Sequence, residues 1–400
     1  MVKLSASQKI ENGEIGTVTR DVNKLHQNAS YLEMKALVEK EYFKYLGDFV
    51  KFDTDEVKQM SFNSMSNIFK NHILSVPITN SVKMKSGKTV EDEDIIKLNF
   101  FDIWTEDPDI LSFEKIVFEP NGIVKPKYYN LFMGFRWALA DATGFQQANF
   151  DIVIDHIKSL CGYNENQFTY FTYWLAHIVQ QPNKLPSTFC AFISRQGVGK
   201  DLFMNFLTES LGSKYVHFTS VVANVMGEFN QFLENKLVIG LDELEGSDYK
   251  KMESMIKYIT TAKTVDINKK NVQQYTVNNY ARLIFFANSI QAIKVQMGDR
   301  RVNIFRPSTK YIDLPSEDKF AYFSKLIAIY ADPEMQKAFY FYLKNLNIEG
   351  FNFTKQVKSD DQLHLEESNK PFIRQFIETY FNEFGKNKAF ADNIKKGGYL

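Results

Sequence analysis

Phe189-Cys-Ala-Phe-Ile-Ser-Arg-Gln-Gly-Val-Gly-Lys200 is the stretch from which the rest of the chain is read. An apolar run of strand character (Phe189, Ala191, Phe192, Ile193) enters a loop that ends in Gly199-Lys200. A helix-forming run, Leu202 to Leu211, follows and stops at Gly212. Strand, glycine-bearing loop and helix in that order form a cradle for phosphates. Backbone N–H groups converge on the anion, Gly197 and Gly199 allow close approach, and Lys200 reaches the β- and γ-phosphates. Ser194, Arg195, Gln196, Gly197, Val198, Gly199, Lys200 and Asp201 are the expected lining. The pattern departs from G-x-x-x-x-G-K-[ST] at both ends. Ser194 stands where the first glycine belongs, and Asp201 replaces the hydroxyl that would hold Mg²⁺.

Three downstream elements share one logic. Lys236-Leu-Val-Ile-Gly-Leu-Asp242-Glu243 reads as a buried parallel strand tipped by two carboxylates, one suited to hold Mg²⁺ and one to polarise water. Arg282-Leu-Ile-Phe-Phe-Ala-Asn288-Ser289 is a second apolar strand, ending in an amide that can orient a water or sense a γ-phosphate. Asp299-Arg300-Arg301 precedes the strand-like Val302-Asn-Ile-Phe305, and its arginines could stabilise charge on a neighbouring subunit's phosphate. Singly, these are also what an acidic loop, a turn asparagine and a surface ion pair look like. Successive gaps of 42, 46 and 12 residues separate Lys200, Asp242, Asn288 and Arg300, leaving room for crossovers between parallel strands.

In that order and spacing the chain resembles the superfamily 3 helicases of the AAA+ class, closest to the poxvirus-like primase–helicases of viruses and plasmids. The resemblance spans about residues 110 to 380, with specific motifs between 189 and 305. It implies an α/β AAA+ phosphate-loop core with a parallel sheet, taking ATP and Mg²⁺. Lys200, Gly197 and Gly199 would bind phosphates, Asp242 would hold Mg²⁺, and Glu243 would activate water. Asn288 would be the sensor, with Arg300 as the finger and Arg301 its alternate. With no hydroxyl at 201, Mg²⁺ rests on Asp242, phosphate oxygens or Asp201 itself. The family also carries a hairpin whose basic tip tracks single-stranded DNA. Thr264 to Val277 has that form, which makes Lys269 and Lys270 the DNA-contact candidates. The implied protein is a 3′→5′ helicase, a hexameric ring on single-stranded or forked DNA, with a primase or polymerase as partner. An AAA+ ATPase that loads or remodels proteins, and a weakly catalytic DNA-binding scaffold, are the competing readings.

Forty-eight basic residues balance forty-eight acidic ones, so any DNA contact must be a local patch. Thirty-six Phe and twenty Tyr suffice for a sizeable core. Cys161 and Cys190 supply neither a disulfide framework nor a zinc site and suit a reducing compartment. The uncharged stretch from Asn166 to Asn183 reads as a core helix, because its polar residues interrupt the apolar run while Phe168, Phe171, Trp174, Leu175 and Ile178 share one face. His177 on that helix reads as structural. With no secretory-type apolar stretch after Met1, an intracellular, cytoplasmic protein is expected, in the host cell if viral.

Four regions are predicted: 1–100 helical with a polar start, 101–183 a connector, 184–312 the ATPase core, and 313–400 helical. Helices are expected over Tyr31 to Phe49 and Val57 to Ile73. Ser86-Gly87-Lys88-Thr89 imitates a phosphate loop, but the acidic run Glu91 to Asp94 follows it instead of an apolar helix. Asp107-Pro-Asp109 is the nearest thing to a primase's acidic cluster, and it sits in an apparent turn.

Overall fold

A computed structural model describes residues 15–20, 22–52, 57–84, 89–141, 144–243, 246–289, 292, 299–358 and 363. Residues 86–88 of the imitation loop and the segment from 369 to 400 lie outside them. The chain divides into two units. One contains the described residues up to Val117 together with Val124–Leu131, and the other contains Phe118–Ile123 and the described residues from Phe132 onward.

The first unit corrects the expectation of a helical N-terminal region. Its elements are β1 (Ile15–Arg20), α1 (Ala29–Val38), β2 (Tyr42–Tyr45), β3 (Asp48–Phe52), β4 (Val57–Met60), α2 (Phe62–Phe69), β5 (Ile73–Met84), β6 (Thr89–Asn99), α3 (Phe100–Thr105), β7 (Ser112–Phe113), β8 (Lys115–Val117) and β9 (Tyr128–Asn130). The apolar period across Tyr31 to Phe49 is broken by Leu46 and Gly47, both at positive φ (49° and 89°). Two such residues make the tight turn of a hairpin, with Tyr45 opposite Asp48. The second expected helix starts only at Ser61, whose side chain caps α2 by accepting from the Ser64 N–H. Aromatic residues fill this unit: Phe49, Phe69, Phe100, Phe101 and Trp104 are all buried. Asp107 is buried too, accepting from the Lys35 ammonium at 2.7 Å and from the Tyr31 hydroxyl. That pairing makes it a structural carboxylate.

In the second unit α4 (Gln147–Leu160) and α5 (Glu165–Gln180) precede β10 (Phe189–Ile193). Then come α6 (Lys200–Leu211), β11 (Val216–Thr219), α7 (Ala223–Met226), β12 (Val238–Leu241), α8 (Gly246–Thr261), β13 (Thr264–Ile267), β14 (Tyr275–Asn278), β15 (Arg282–Ala287), β16 (Val302–Phe305), α9 (Ser316–Ala331) and α10 (Pro333–Asn345). Five strands form one parallel sheet in the order β11-β12-β15-β10-β16. Its central strands are buried on both faces, which is why β10, and β15 after Arg282, read as unbroken apolar runs. Alternate side chains supply two cores. Cys190, Phe192, Ile284, Phe286 and Phe305 meet α4, α5, α6, α9 and α10, whereas Ala191, Ile239, Phe285 and Ile304 meet α8 and the β13–β14 hairpin. Trp174 and Phe171 are fully buried in the first of these cores, so packing runs without a break across residue 183. Cys161 and Cys190 are both buried and unbridged. No helix among the described residues is long and apolar enough to cross a membrane.

Two buried histidines make stability depend on pH. Burial holds His156 down at about 4, and burial with the neighbouring Arg282 and Lys184 charges holds His177 at about 3, against an ordinary 6.5. Above pH 6.5 both are neutral in folded and unfolded chains and neither contributes a slope. Below it the unfolded chain takes up protons that the native state refuses, so stability falls from pH 6.5 down to about 4 for His156 and about 3 for His177. Against a His156→Gln variant, the wild-type chain should lose on the order of 3 kcal/mol more across its window. Thermal unfolding of both proteins through that range checks this, and parallel curves would exclude it.

Candidate functional site

All five strands of the parallel sheet end on one edge, where open α/β sheets bind ligands. Beyond β10 the Ser194 N–H donates to the Ala287 carbonyl at 3.0 Å, and the chain then leaves the sheet for the loop. Gly197 (φ 86°) and Gly199 (φ 90°) take left-handed backbone that other residues resist. Gly199 is the N-cap of the twelve-residue α6 and provides no side-chain cap. The first-turn N–H groups are therefore available to an anion, with the helix dipole behind them.

Lys200 opens that helix with only 8% of its surface exposed. Its Nζ donates to the Asn288 Oδ1 at 3.4 Å and lies 5.9 Å from the centre of the Phe286 ring. Burial pushes its ammonium down, while Asp242, Asp201 and Glu243 push it back up. Asn288 reaches Lys200 because β15 is the neighbour of β10, with Ile193 opposite Ala287. One strand further over, β12 delivers Asp242, whose backbone N–H donates to the Thr219 carbonyl at 3.0 Å. The Asp242 Oδ1 is buried and has no hydrogen-bond partner among the described residues, and the Ser194 Oγ is in the same position. Glu243 is exposed, in a left-handed turn at φ 52°. Burial, then the Asp242 charge, pushes the Asp201 carboxyl up against the opposing pull of Lys200, with Glu243 adding to the rise. Lys200, Asp201, Asp242, Glu243 and Asn288 thus share one electrostatic neighbourhood. The unpartnered Asp242 oxygen, within charge range of Asp201, suits a cation that completes its shell mostly with water. Among the described residues no three carboxylate, histidine or cysteine side chains are grouped to hold a metal ion by themselves.

Arg195 and Gln196 are exposed, and the Arg195 guanidinium meets the Asp313 carboxylate at 3.3 Å. Val198 is buried beneath the loop. Sequence reading overlooked what supports it: His156 of α4, Ile312 near Gly197, and Phe323 near Gly199. No sequence signal marks them, since His156 lies 42 residues from Val198 and is an ordinary position on an amphipathic helix. His177 contacts the buried Arg282, Nδ1 to Nη2 at 3.2 Å, as a structural residue.

The arginines lie elsewhere. Phe189, at the start of β10, pairs with Val302, and its N–H donates to the Arg301 carbonyl. Arg300 and Arg301 therefore sit at the opposite end of the strands from the loop. Arg300 is exposed, whereas Arg301 is tied to Asp299 at 3.2 Å.

The hairpin forms with Val265 opposite Val277 and Ile267 opposite Tyr275. Asn230 braces it, donating to the Asp266 carbonyl and accepting from the Asn268 N–H. Its two lysines differ. Lys269 is held by the Glu234 carboxylate at 2.5 Å and lies over the Tyr275 ring. Although burial works against it, Glu234 and Tyr275 keep its ammonium above the usual range. Lys270 is exposed at the tip, so the solvent-facing basic residue there is Lys270 and not Lys269.

The fold and site define an α/β protein with a glycine-bearing loop at the carboxyl edge of a parallel sheet. A family model described as a family of unknown function (DUF5906) matches residues 192–301, about a quarter of the chain. A DNA primase-polymerase of Nitratiruptor phage NrS-1 is 24% identical over 217 residues, which is 48% of this chain and 30% of the relative. The match therefore spans less than a third of that protein. Ligand-free structures of the NrS-1 C-terminal region share the fold. One has TM-score 0.64 at 18% identity, over 91% of this chain and 80% of that one. Another has TM-score 0.64 at 17% identity, over 90% and 84%.

Proposed function

We propose that this chain is an ATP-driven DNA helicase of a viral or mobile-element replication system, assembling as a ring, a hexamer, that moves 3′→5′ on single-stranded or forked DNA. The observation that carries the reading is the meeting of Lys200, Asp201, Asp242, Glu243 and Asn288 around a loop built on two positive-φ glycines. The likeness to a phage primase-polymerase supports a replication role and a primase or polymerase as partner.

Loop N–H groups and Lys200 bind the β- and γ-phosphates. Asp242 and Asp201 would hold Mg²⁺, which would supply charge neutralisation for the phosphate oxygens. Glu243 takes a proton from the attacking water as general base. Asn288 orients that water while its carbonyl oxygen fixes Lys200. The reading extends to Arg300 serving the site of the adjacent subunit, with Arg301 held back by Asp299. Lys270, one per subunit, contacts the strand.

The test is ATP hydrolysis by the purified chain with and without single-stranded DNA, followed by strand displacement. Several-fold stimulation by DNA that Lys270→Ala diminishes and Lys269→Ala diminishes less is the expected result. Hydrolysis indifferent to DNA would transfer the motor to protein substrates, as in a loader or remodeller. The Lys269–Glu234 pairing favours that second reading, because it leaves the tip a single exposed lysine.

A further inference from the structure

We infer that His156 is a positioning residue of the phosphate loop: it holds the Val198 carbonyl and so turns the Gly199 N–H toward the loop's open side, where phosphate binds. The inference rests on the phosphate-site reading above and adds a residue that the motif does not contain.

The Val198–Gly199 peptide lies between the two left-handed glycines of the loop. In a planar trans peptide the carbonyl and the following N–H point in opposite directions. The His156 Nε2 lies 3.1 Å from the Val198 oxygen. A carbonyl can only accept, so this nitrogen carries the proton. Nδ1 is then the bare nitrogen, and it accepts from the Tyr330 hydroxyl at 2.6 Å. Both rings are buried, and Tyr330 stacks on Phe206 of α6 at 4.2 Å. A continuous bridge therefore runs from α9 through α4 to the middle of the loop, anchored on the helix that the loop begins. Its effect is to aim one backbone donor outward before any ligand arrives, which spares ordering at the moment of binding. The imidazole also accounts for the glycine: a Cβ at 199 would lie 2.5 Å from the His156 Nε2, on backbone already at φ 90°. Burial keeps the ring neutral at physiological pH, as the donor–acceptor arrangement requires.

The experiment compares wild type with His156→Leu, His156→Gln and Tyr330→Phe by calorimetric titration with Mg²⁺-ATP and by steady-state hydrolysis. Leu removes the donor, whereas the Gln side-chain amide can present an N–H near the same place. His156→Leu is expected to weaken ATP binding on the order of tenfold, with His156→Gln recovering to within about threefold. Tyr330→Phe should fall between them. Equal affinities in wild type and His156→Leu, or equal losses in the Leu and Gln variants, would overturn the inference alone. A wild-type chain that binds no ATP would overturn the phosphate-site reading and the inference with it. Should His156→Leu fail to fold, nitrogen resonances of ¹⁵N-histidine-labelled wild type decide. Protonated Nε2 with bare Nδ1, unchanged from about pH 5 to about pH 8, supports the bridge, and the opposite tautomer sinks it.

Discussion

Replacing Lys200 with alanine is expected to lower ATP turnover by about 10²- to 10³-fold or more while leaving the fold intact. Lys200 is a buried cation within charge range of Asp242, Asp201 and Glu243, at the loop proposed to hold phosphate. Without it the site keeps its negative charges and loses the group that offsets them, so the polyphosphate is repelled where it should be held. The fold should survive, because removing a buried ammonium also removes its desolvation cost, and the helix continues through Phe203, Met204, Phe206 and Leu207 in the core. Nucleotide titration and steady-state hydrolysis, beside a thermal melt, measure both halves. Turnover within threefold of wild type would exclude Lys200 from the chemistry.

Arg300→Ala should reduce kcat by about 10³-fold or more with nucleotide affinity nearly unchanged. The strand geometry supplies the reason. The loop follows the last residue of β10, and Arg300 stands two positions before Val302, which pairs with the first. Five residues of extended chain, about 16 Å, lie between those ends, so Arg300 cannot reach its own loop. A finger at that position serves the neighbouring subunit or none. Mixing the Arg300→Ala and Lys200→Ala chains should therefore restore part of the turnover, since some interfaces then join an intact loop to an intact arginine. Normal hydrolysis by Arg300→Ala would end the finger assignment. A dead mixture of two folded, associating variants would end the between-subunit arrangement.

Much of the second unit was legible because a strand buried on both faces is mostly apolar: β10 and β12 are apolar throughout, and β15 and β16 are apolar except for the buried Arg282 and Asn303. The Trp174 helix was legible because Phe171, Trp174, Leu175 and Ile178 share one face, although Gln167, Thr172 and His177 are buried along with them. The first unit was misread where an apolar spacing compatible with a helix runs across a hairpin. Leu46-Gly47 carries little of the asparagine or aspartate signal that marks such turns, and only the pairing of Tyr45 with Asp48 commits the chain to strands. The connector expected to end with the Trp174 helix at 183 is continuous with the core after it, because the helices before 183 supply one face of the sheet's core.

By itself the sequence determined the chemistry available: a loop with two glycines and a lysine, two carboxylates and an amide at strand tips, and two arginines before the last strand. Those are local patterns, set by residue type and spacing over a few positions. Tertiary structure decided which of these groups meet and in what electrical state. It gathered Lys200, Asp201, Asp242 and Asn288 on one edge and left Arg300 at the other. It also tied Lys269 to Glu234 while leaving Lys270 exposed, and set His156 beneath the loop with Tyr330 behind it. Burial and charge pairing act through space, between residues 42 and 174 positions apart in the bridge at His156, and no local pattern encodes such distances.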